Sequence, residues 1–404
     1  MPPTGDDAGG DSGRATPDRA ASRPGYGALA AELAARDAVG FVAVGDRFDD
    51  DLRYLTRFSG PDRAWPFVYA GEEAFLCAPA LFAEQAREEF AGTVLTQGDL
   101  AADAAGAQAA ELLAEHAGLD GGTVLVPASL PHDAAVYLER AGFALESTDA
   151  VAEARRVKSA WEVERLREVQ AAAQAGMARA ETVLAEAAVR ETDDRLVHEG
   201  VPVTTEYLRR EVNAVLGAEG VSDAHNTVVA AGGACADLHF YGDVPVHADE
   251  TVLLDVSPRG PEGYYGDLTR TFVVDSSGGW DRRAYLAVES AQDMAFDAIE
   301  AGAPAESVHE EGAAEIVAYG FGAGADLDAG FTHGVGHGVG VSLHEAPSLT
   351  ASEELRVGDV VTVEPGVYDP EKGGVRIEDL VVVTEDGFEN LTDYPRSSTP
   401  RVRR

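Results

Sequence analysis

Two pairs of short segments set single carboxylates inside otherwise apolar runs. They are TVLLDVSP (251–258) with YYGDLTRTFVVD (264–275), and DVVTVEPGVYD (359–369) with GVRIEDLVVVTEDG (374–387). Nothing else in the chain limits its fold as severely. Each pair reads as two antiparallel strands, the first joined through a Gly/Pro loop. Asp255 follows VLL, Asp267 precedes LTRTF, Glu364 follows VTV and Glu378 sits within RIED. A buried carboxylate is costly unless it is paired or bound to metal. One such acid is commonly a strand-end residue facing water. Four, at matching places in two strand pairs, point to a shared centre.

The segment FTHGVGHGVGVSLHE (331–345) supplies the other half of such a centre. Gly334, Gly336, Gly338 and Gly340 argue against helix, each costing about 1 kcal/mol relative to Ala. An extended segment is expected, with His333, Val335, His337, Val339 and Val341 on one face and His344 on the other unless a bend intervenes. Four carboxylates with an imidazole, and no sulfur nearby, suit a dinuclear centre of divalent first-row ions. Two ions about 3.5–4 Å apart can acidify a water and polarise a carbonyl. The remaining histidines can then hydrogen-bond an oxyanion and move protons.

The rest of the chain bounds the alternatives. With 404 residues there is room for two domains. The 71 acidic residues against 31 basic give a formal charge of −40, which excludes a nucleic-acid binder dependent on a basic patch and disfavours anionic membranes. Lys158 and Lys372 are the only lysines. Acidic excess with almost no lysine resembles the bias of salt-accumulating halophiles, haloarchaea in particular, whose surfaces require screening. Cys77 and Cys235 stand too far apart to suggest a disulfide framework or thiolate site. No apolar run approaches membrane-spanning length and the N-terminus lacks a signal pattern, so a cytoplasmic location is expected.

Residues 1–27, rich in Gly, Asp, Pro and Ala, read as a disordered acidic leader. Residues 28–154 alternate apolar runs (FVAVG, FVYAG, GTVLV) with Ala/Leu/Glu-rich stretches, as in a small α/β domain without a phosphate loop. A long helix is predicted from Ser159, where Ser159 and Glu162 form a capping box. The boundary is placed just before it, giving a second domain over 155–397. Further helices are predicted near 204–217, 281–301 and 304–319. The acidic run at 49–51 is most simply a solvated face, and His225, His247 and His309 are read as structural or solvated.

The stretches DLTRTF, HGVGHGVGVSLHE, VTVEPGVY and GVRIED, with LHFYGD around His239, resemble the catalytic domain of the pita-bread metallopeptidases: Xaa-Pro aminopeptidase, prolidase and methionine aminopeptidase. DLRYLTRFSG resembles the creatinase/prolidase-type N-terminal domain, which methionine aminopeptidases lack. The resemblance implies an α+β fold, a pita-bread catalytic domain preceded by a smaller α/β domain. It implies Asp255 on one metal, Asp267 and Glu378 bridging, and His337 and Glu364 on the other. It implies further that Glu364 handles the proton of the attacking water. His239 and His344 would contact substrate and the tetrahedral intermediate, His333 would lie near the substrate pocket, and Arg376 would orient the carboxylates. The expected metal is manganese, with cobalt, zinc or iron as alternatives. The expected substrates are short peptides with proline second, cleaved by an aminopeptidase or dipeptidase, and a homodimer is expected. The rival readings are a hydrolase or lyase of another kind on the same fold, and a non-catalytic peptide-binding module.

One departure stands out. Where the family pattern has Gly two residues after the first aspartate, this chain has Ser257, and Asp255 and Asp267 stand 12 apart, one more than the pattern. PRGPEG can take up the extra residue within its loop. A slip within a strand would instead turn one acid away from the centre.

Overall fold

The computed structural model describes residues 25–403; the expected leader lies almost wholly outside them. Chain order opens with α1 (Gly27–Ala35), β1 (Gly40–Gly45), α2 (Asp50–Thr56), β2 (Trp65–Ala70), β3 (Glu73–Ala78), α3 (Ala83–Glu89) and β4 (Thr93–Thr96). It continues through α4 (Ala105–Glu111), β5 (Gly122–Val126), α5 (His132–Arg140), β6 (Phe143–Ser147) and α6 (Ala150–Arg156). The β-branched and aromatic runs FVAVG, WPFVYA and GTVLV supply the interior of one mixed sheet, ordered β4-β3-β2-β1-β5-β6. β1 pairs antiparallel with β2 and parallel with β5. Helices cover both faces, as strands buried on both sides require.

The long helix α7 (Ala160–Glu186) begins where expected: Ser159 accepts from the Glu162 backbone while the Glu162 side chain returns to the Ser159 backbone. After a small three-stranded sheet (β7 Ala188–Val189, β8 Leu196–His198, β9 Val201–Pro202) comes α8 (Thr205–Ala218). The strands β10 (Thr227–Ala231), β11 (Thr251–Val256) and β12 (Thr269–Val273) form an antiparallel sheet. α9 (Trp280–Asp297) and α10 (Ala305–Ala318) follow. α9 stops short of its predicted end, with Ala298 as its C-cap.

The last region carries β13 (His337–Gly338), β14 (Glu345–Ser348), β15 (Val360–Val363), β16 (Gly366–Asp369), β17 (Gly373–Arg376), β18 (Asp379–Thr384) and β19 (Gly387–Asn390). Five of these form a sheet ordered β14-β13-β15-β18-β19, and β16 pairs with β17 alone. The predicted single strand pair over 359–387 is therefore corrected to two. β15 pairs with β18 up to Val363 opposite Asp379, and β16 resumes with Gly366 opposite Arg376. Pro365, with no N–H to donate, stands at the break.

Two further expectations are corrected. The acidic run at 49–51 is not a solvated face. Asp49 caps α2 by accepting from the Leu52 N–H at 2.8 Å. Asp50 takes Arg259 at 2.9 Å and Asp51 takes Arg155 at 2.7 Å, so long-range partners absorb the run. The histidine segment is strand only at His337–Gly338 and at its last residue, Glu345, where β14 begins. Val335, Val339 and Val341 are buried in apolar clusters, while the histidines line a cavity, so the valines and histidines do not share a face. An apolar cluster runs continuously from the N-terminal sheet (Phe41, Trp65, Phe67) to Leu166, Tyr264, Val339 and Leu380, joining the two ends of the chain. No helix among the described residues is long and apolar enough to cross a membrane.

Candidate metal centre

The four carboxylates occupy strand ends and breaks rather than strand middles, which frees their side chains from the pleat. Asp255 is the penultimate residue of β11, between Val228 of β10 and Thr269 of β12. Asp267 lies two residues before β12, Glu364 falls between β15 and β16, and Glu378 between β17 and β18. All four line a cavity of about 450 Å³ with His239, His333, His337, His344 and Arg376. Every site residue read from the sequence is thus brought to one cavity, whose apolar wall includes Val228, Leu238 and Leu343.

The glycines between the histidines have a steric reason. A Cβ on Gly336 would lie 2.0 Å from the Thr362 carbonyl oxygen, and one on Gly338 would lie 2.3 Å from that of Ala346. Only glycine lets this segment run so close to β14 and β15. A bend over 340–344 then turns His344 back, so that its ring centroid is 4.2 Å from that of His337.

Ligand atoms of Asp267, His337 and Glu378 all lie within 4.8 Å of one another. His337 Nε2 is 3.3 Å from Glu364 Oε1 and 3.8 Å from Asp267 Oδ2. Its Nδ1 is 3.1 Å from the Gly338 carbonyl, so Nδ1–H donates there and Nε2 faces the acids, donating to Glu364 while the ring is protonated and offering its lone pair once that proton leaves. Ser257 answers the question raised by the family pattern. Its hydroxyl lies 3.1 Å from Asp255 Oδ1 and 2.8 Å from Asp267 Oδ1, bridging the two acids. The extra residue is absorbed in the 258–263 loop, with β11 and β12 still in register.

Arg376 is buried beneath the acids. It donates from Nη2 to Asp255 Oδ2 at 2.6 Å, from Nε to Thr269 Oγ1 at 3.1 Å and from Nη1 to the Tyr368 hydroxyl at 3.0 Å. The Thr269 hydroxyl donates to Glu378 Oε2 at 2.6 Å, and Thr362 donates to Glu364 Oε1 at 3.2 Å. Tyr368 also lies 2.9 Å from His333 Nε2, whose Nδ1 faces the Gly334 carbonyl at 2.8 Å. The consistent assignment has His333 Nδ1–H donating to Gly334 and Tyr368 O–H donating to Nε2. Sequence reasoning missed Thr269, Tyr368 and the bridging role of Ser257. Thr269 had a signal: two residues past Asp267, it shares that acid's face on a period of two. Tyr368 had none, because nothing in its own strand pair marks it as the partner of His333, 35 residues away.

The electrostatics are those of a cluster short of positive charge. Burial, with the neighbouring Asp255 charge, pushes Asp267 up to about 8. Glu378 is raised well above its ordinary value by burial and by Asp267 and Glu364. Burial raises Asp255 despite Arg376. Burial also acts upward on Glu364, but the hydrogen bond and charge of His337 outweigh it and hold this acid at about 2. His337, pulled down by burial, is lifted to about 9 by Glu364 and Asp267. His333 and His344 are lowered, chiefly by burial. Buried carboxylates that hold protons near neutrality, with oxygen and nitrogen as the only donors, fit a pair of divalent cations.

Residues 164–385 match metallopeptidase family M24. The chain is 35% identical over 213 residues to the "Xaa-Pro dipeptidase" of Pyrococcus furiosus, covering 52% of this chain and 58% of that protein. It is 32% identical over 253 residues to the "Probable dipeptidase PepE" of Mycobacterium tuberculosis, covering 62% of each. The matched region therefore spans under two thirds of these relatives. The structure of an Xaa-Pro dipeptidase from Bacillus anthracis superposes with a TM-score of 0.79 at 23% identity, over 95% of this chain and 99% of that one. That likeness extends through the N-terminal sheet and gives the fold, the pita-bread arrangement expected from the motifs.

Proposed function

Because this chain belongs to metallopeptidase family M24, we propose that it hydrolyses the bond between an N-terminal residue and proline. The observation that carries the reading is the convergence of Asp255, Asp267, His337, Glu364 and Glu378 on one cavity. On this reading those five side chains would hold two divalent ions, which would supply Lewis acidity toward the attacking water and the scissile carbonyl. Glu364, ionised beside His337, accepts the proton of that water. His344 is lowered chiefly by burial, so with His239 on the same cavity wall it can donate its N–H to the oxyanion, while the proton that Glu364 took from the water is the one delivered to the departing proline nitrogen. Arg376 and Thr269 hold Asp255 and Glu378 in place. The Val228, Leu238 and Leu343 wall excludes water and suits the apolar proline ring, whose amide offers no N–H for an acceptor to bind.

The same reading makes the chain a cytoplasmic, manganese-loaded homodimer of high-salt cytosol. It divides the chain near residue 155 into a creatinase-like domain and a catalytic domain. The test is a metal-resolved assay: protein purified in molar salt, its metal quantified, then loaded with Mn²⁺, Co²⁺ or Zn²⁺ and offered Xaa-Pro dipeptides, Xaa-Pro-Yaa tripeptides and proline-free controls. Cleavage confined to Xaa-Pro with about two metals bound supports the proposal. Metal binding with no cleavage overturns it in favour of another reaction.

A further inference from the structure

A second cavity, of about 590 Å³, opens between α2 and the loop 258–263, behind the wall of the first. Arg47, Arg53, Arg259 and His225 line it, with Phe48 and Tyr265 as aromatic sides. No aspartate or glutamate lines it among the described residues, in a chain whose acids outnumber its bases 71 to 31. Asp50 and Glu89 engage Arg259 and Ser59 from outside it, but the side chains facing the space itself are cationic or neutral, a lining that attracts anions locally.

Arg53 is the anchor. It is 8% exposed and has no carboxylate within ion-pair distance among the described residues. Its guanidinium donates only to carbonyls, Glu262 O at 3.1 Å, Arg57 O at 2.5 Å and Pro261 O at 2.6 Å. A buried charge is normally paired. Burial and the neighbouring Arg259 and Arg57 lower its pKa to about 10, although Glu89 and Glu262 pull the other way. Each Nη keeps one N–H beyond these carbonyl bonds. Arg47 is exposed, stacks over Phe48 at 5.6 Å and has no carboxylate partner among the described residues. Arg259 gives Nη2 to Asp50 at 2.9 Å and to Val341 O at 3.4 Å, and Nε to Gly263 O at 2.9 Å, which leaves Nη1 unengaged. Phe48 is 70% exposed at the rim, an apolar face beside a cationic one.

We propose that this cavity is an oxyanion site, taking a carboxylate or phosphate that carries an apolar flank. Arginine forks match the planar oxygens of both groups, and Phe48 and Tyr265 receive the flank. The loop that supplies Arg259 and two of the three carbonyls facing Arg53 is the one that holds the extra residue between Asp255 and Asp267. The anion has two sources. One is a free oxyanion of the cell. The other is the C-terminal carboxylate of a peptide longer than two residues, since His225 and Arg259 line this cavity while Asn226 and Ser257 line the first. Only the second source rests on the proposed peptidase function.

The experiment is calorimetric titration of inorganic phosphate and of citrate into the metal-loaded full chain, for wild type, Arg53→Met, the exposed Arg47→Gln and a remote control, Arg282→Gln. The expected result is saturable binding, weakened about tenfold or more by loss of a charged hydrogen-bond donor in either cavity variant and unchanged in the control. Arg47→Gln decides the matter if Arg53→Met fails to fold. No saturable binding, or equal binding in all four proteins, overturns the proposal. Because the titration needs no turnover, it stands even if Xaa-Pro cleavage is absent. The source is read from tripeptide acids and their C-terminal amides. A KM raised by amidation in wild type but not in Arg47→Gln assigns the peptide carboxylate. Indifference to amidation, with phosphate bound, assigns a free anion.

Discussion

Replacing Asp267 by Asn separates a metal ligand from a structural acid, because the two roles predict opposite signs. In the metal-free protein Asp267 is raised from 3.8 to about 8. Between those values the folded chain holds a proton that the unfolded chain releases, so wild-type stability falls as pH rises from about 4 to about 8 and is flat above. At pH 7 the fall amounts to about 3 units, or about 4 kcal/mol at 1.36 kcal/mol per unit. Asn carries no such penalty and keeps an oxygen to accept from Ser257. The amide's imperfect fit returns about 1 kcal/mol. In chelator at pH 7, Asp267→Asn is therefore more stable than wild type by roughly 3 kcal/mol, whereas near pH 4, where the penalty has vanished, it is less stable by the about 1 kcal/mol of the poorer fit. With metal the order reverses. Saturation at 100 times Kd adds about 2.7 kcal/mol per site to wild type alone. Urea unfolding of both proteins with and without Mn²⁺, at pH 4 and pH 7, reads every one of these differences. A variant less stable than wild type in chelator at pH 7, or one still stabilised by Mn²⁺, refutes the reasoning.

Three further outcomes follow from the same structure. Metal affinity rises with pH through 7 to 9, because the proton on Asp267 (about 8), that on the raised Glu378 and that on His337 (about 9) must leave as the cation enters. Calorimetry in buffers of different ionisation enthalpy counts those protons, and a count of zero at pH 7 contradicts the assignment. Arg156→Met leaves Asp359, itself fully buried and bonded in two places at 3.0 and 2.9 Å, without its counter-charge. It should cost about 3–5 kcal/mol in urea unfolding, and a cost below about 1 kcal/mol would mean the pair relaxes into water. A charge of −40 makes the folded state strongly dependent on screening, so Tm should climb steeply from low to molar KCl; an unchanged Tm removes the halophilic reading.

The chemistry of the centre was legible in the sequence because it depends on residue type and short spacing. Acids embedded in VLLD, VTVE and RIED cannot be core-forming residues, and no fold makes them cheap to bury without cations. The Ser159 to Glu162 cap lies within one helical turn and was equally local. What local periodicity could not supply was where each strand stops. The break at Glu364–Pro365 follows from β15 joining one sheet and β16 another, a choice made by pairing partners far along the chain. The same long-range packing bends residues 340–344 so that His344 meets His337, and it brings Arg376 under Asp255 from 121 residues away. It also turns the acidic run at 49–51 into a set of anchors for Arg155 and Arg259. The sequence alone determined which atoms are available and what charge they need. The tertiary structure decided their neighbours, because burial, tautomer and pKa are properties of neighbours and not of residues.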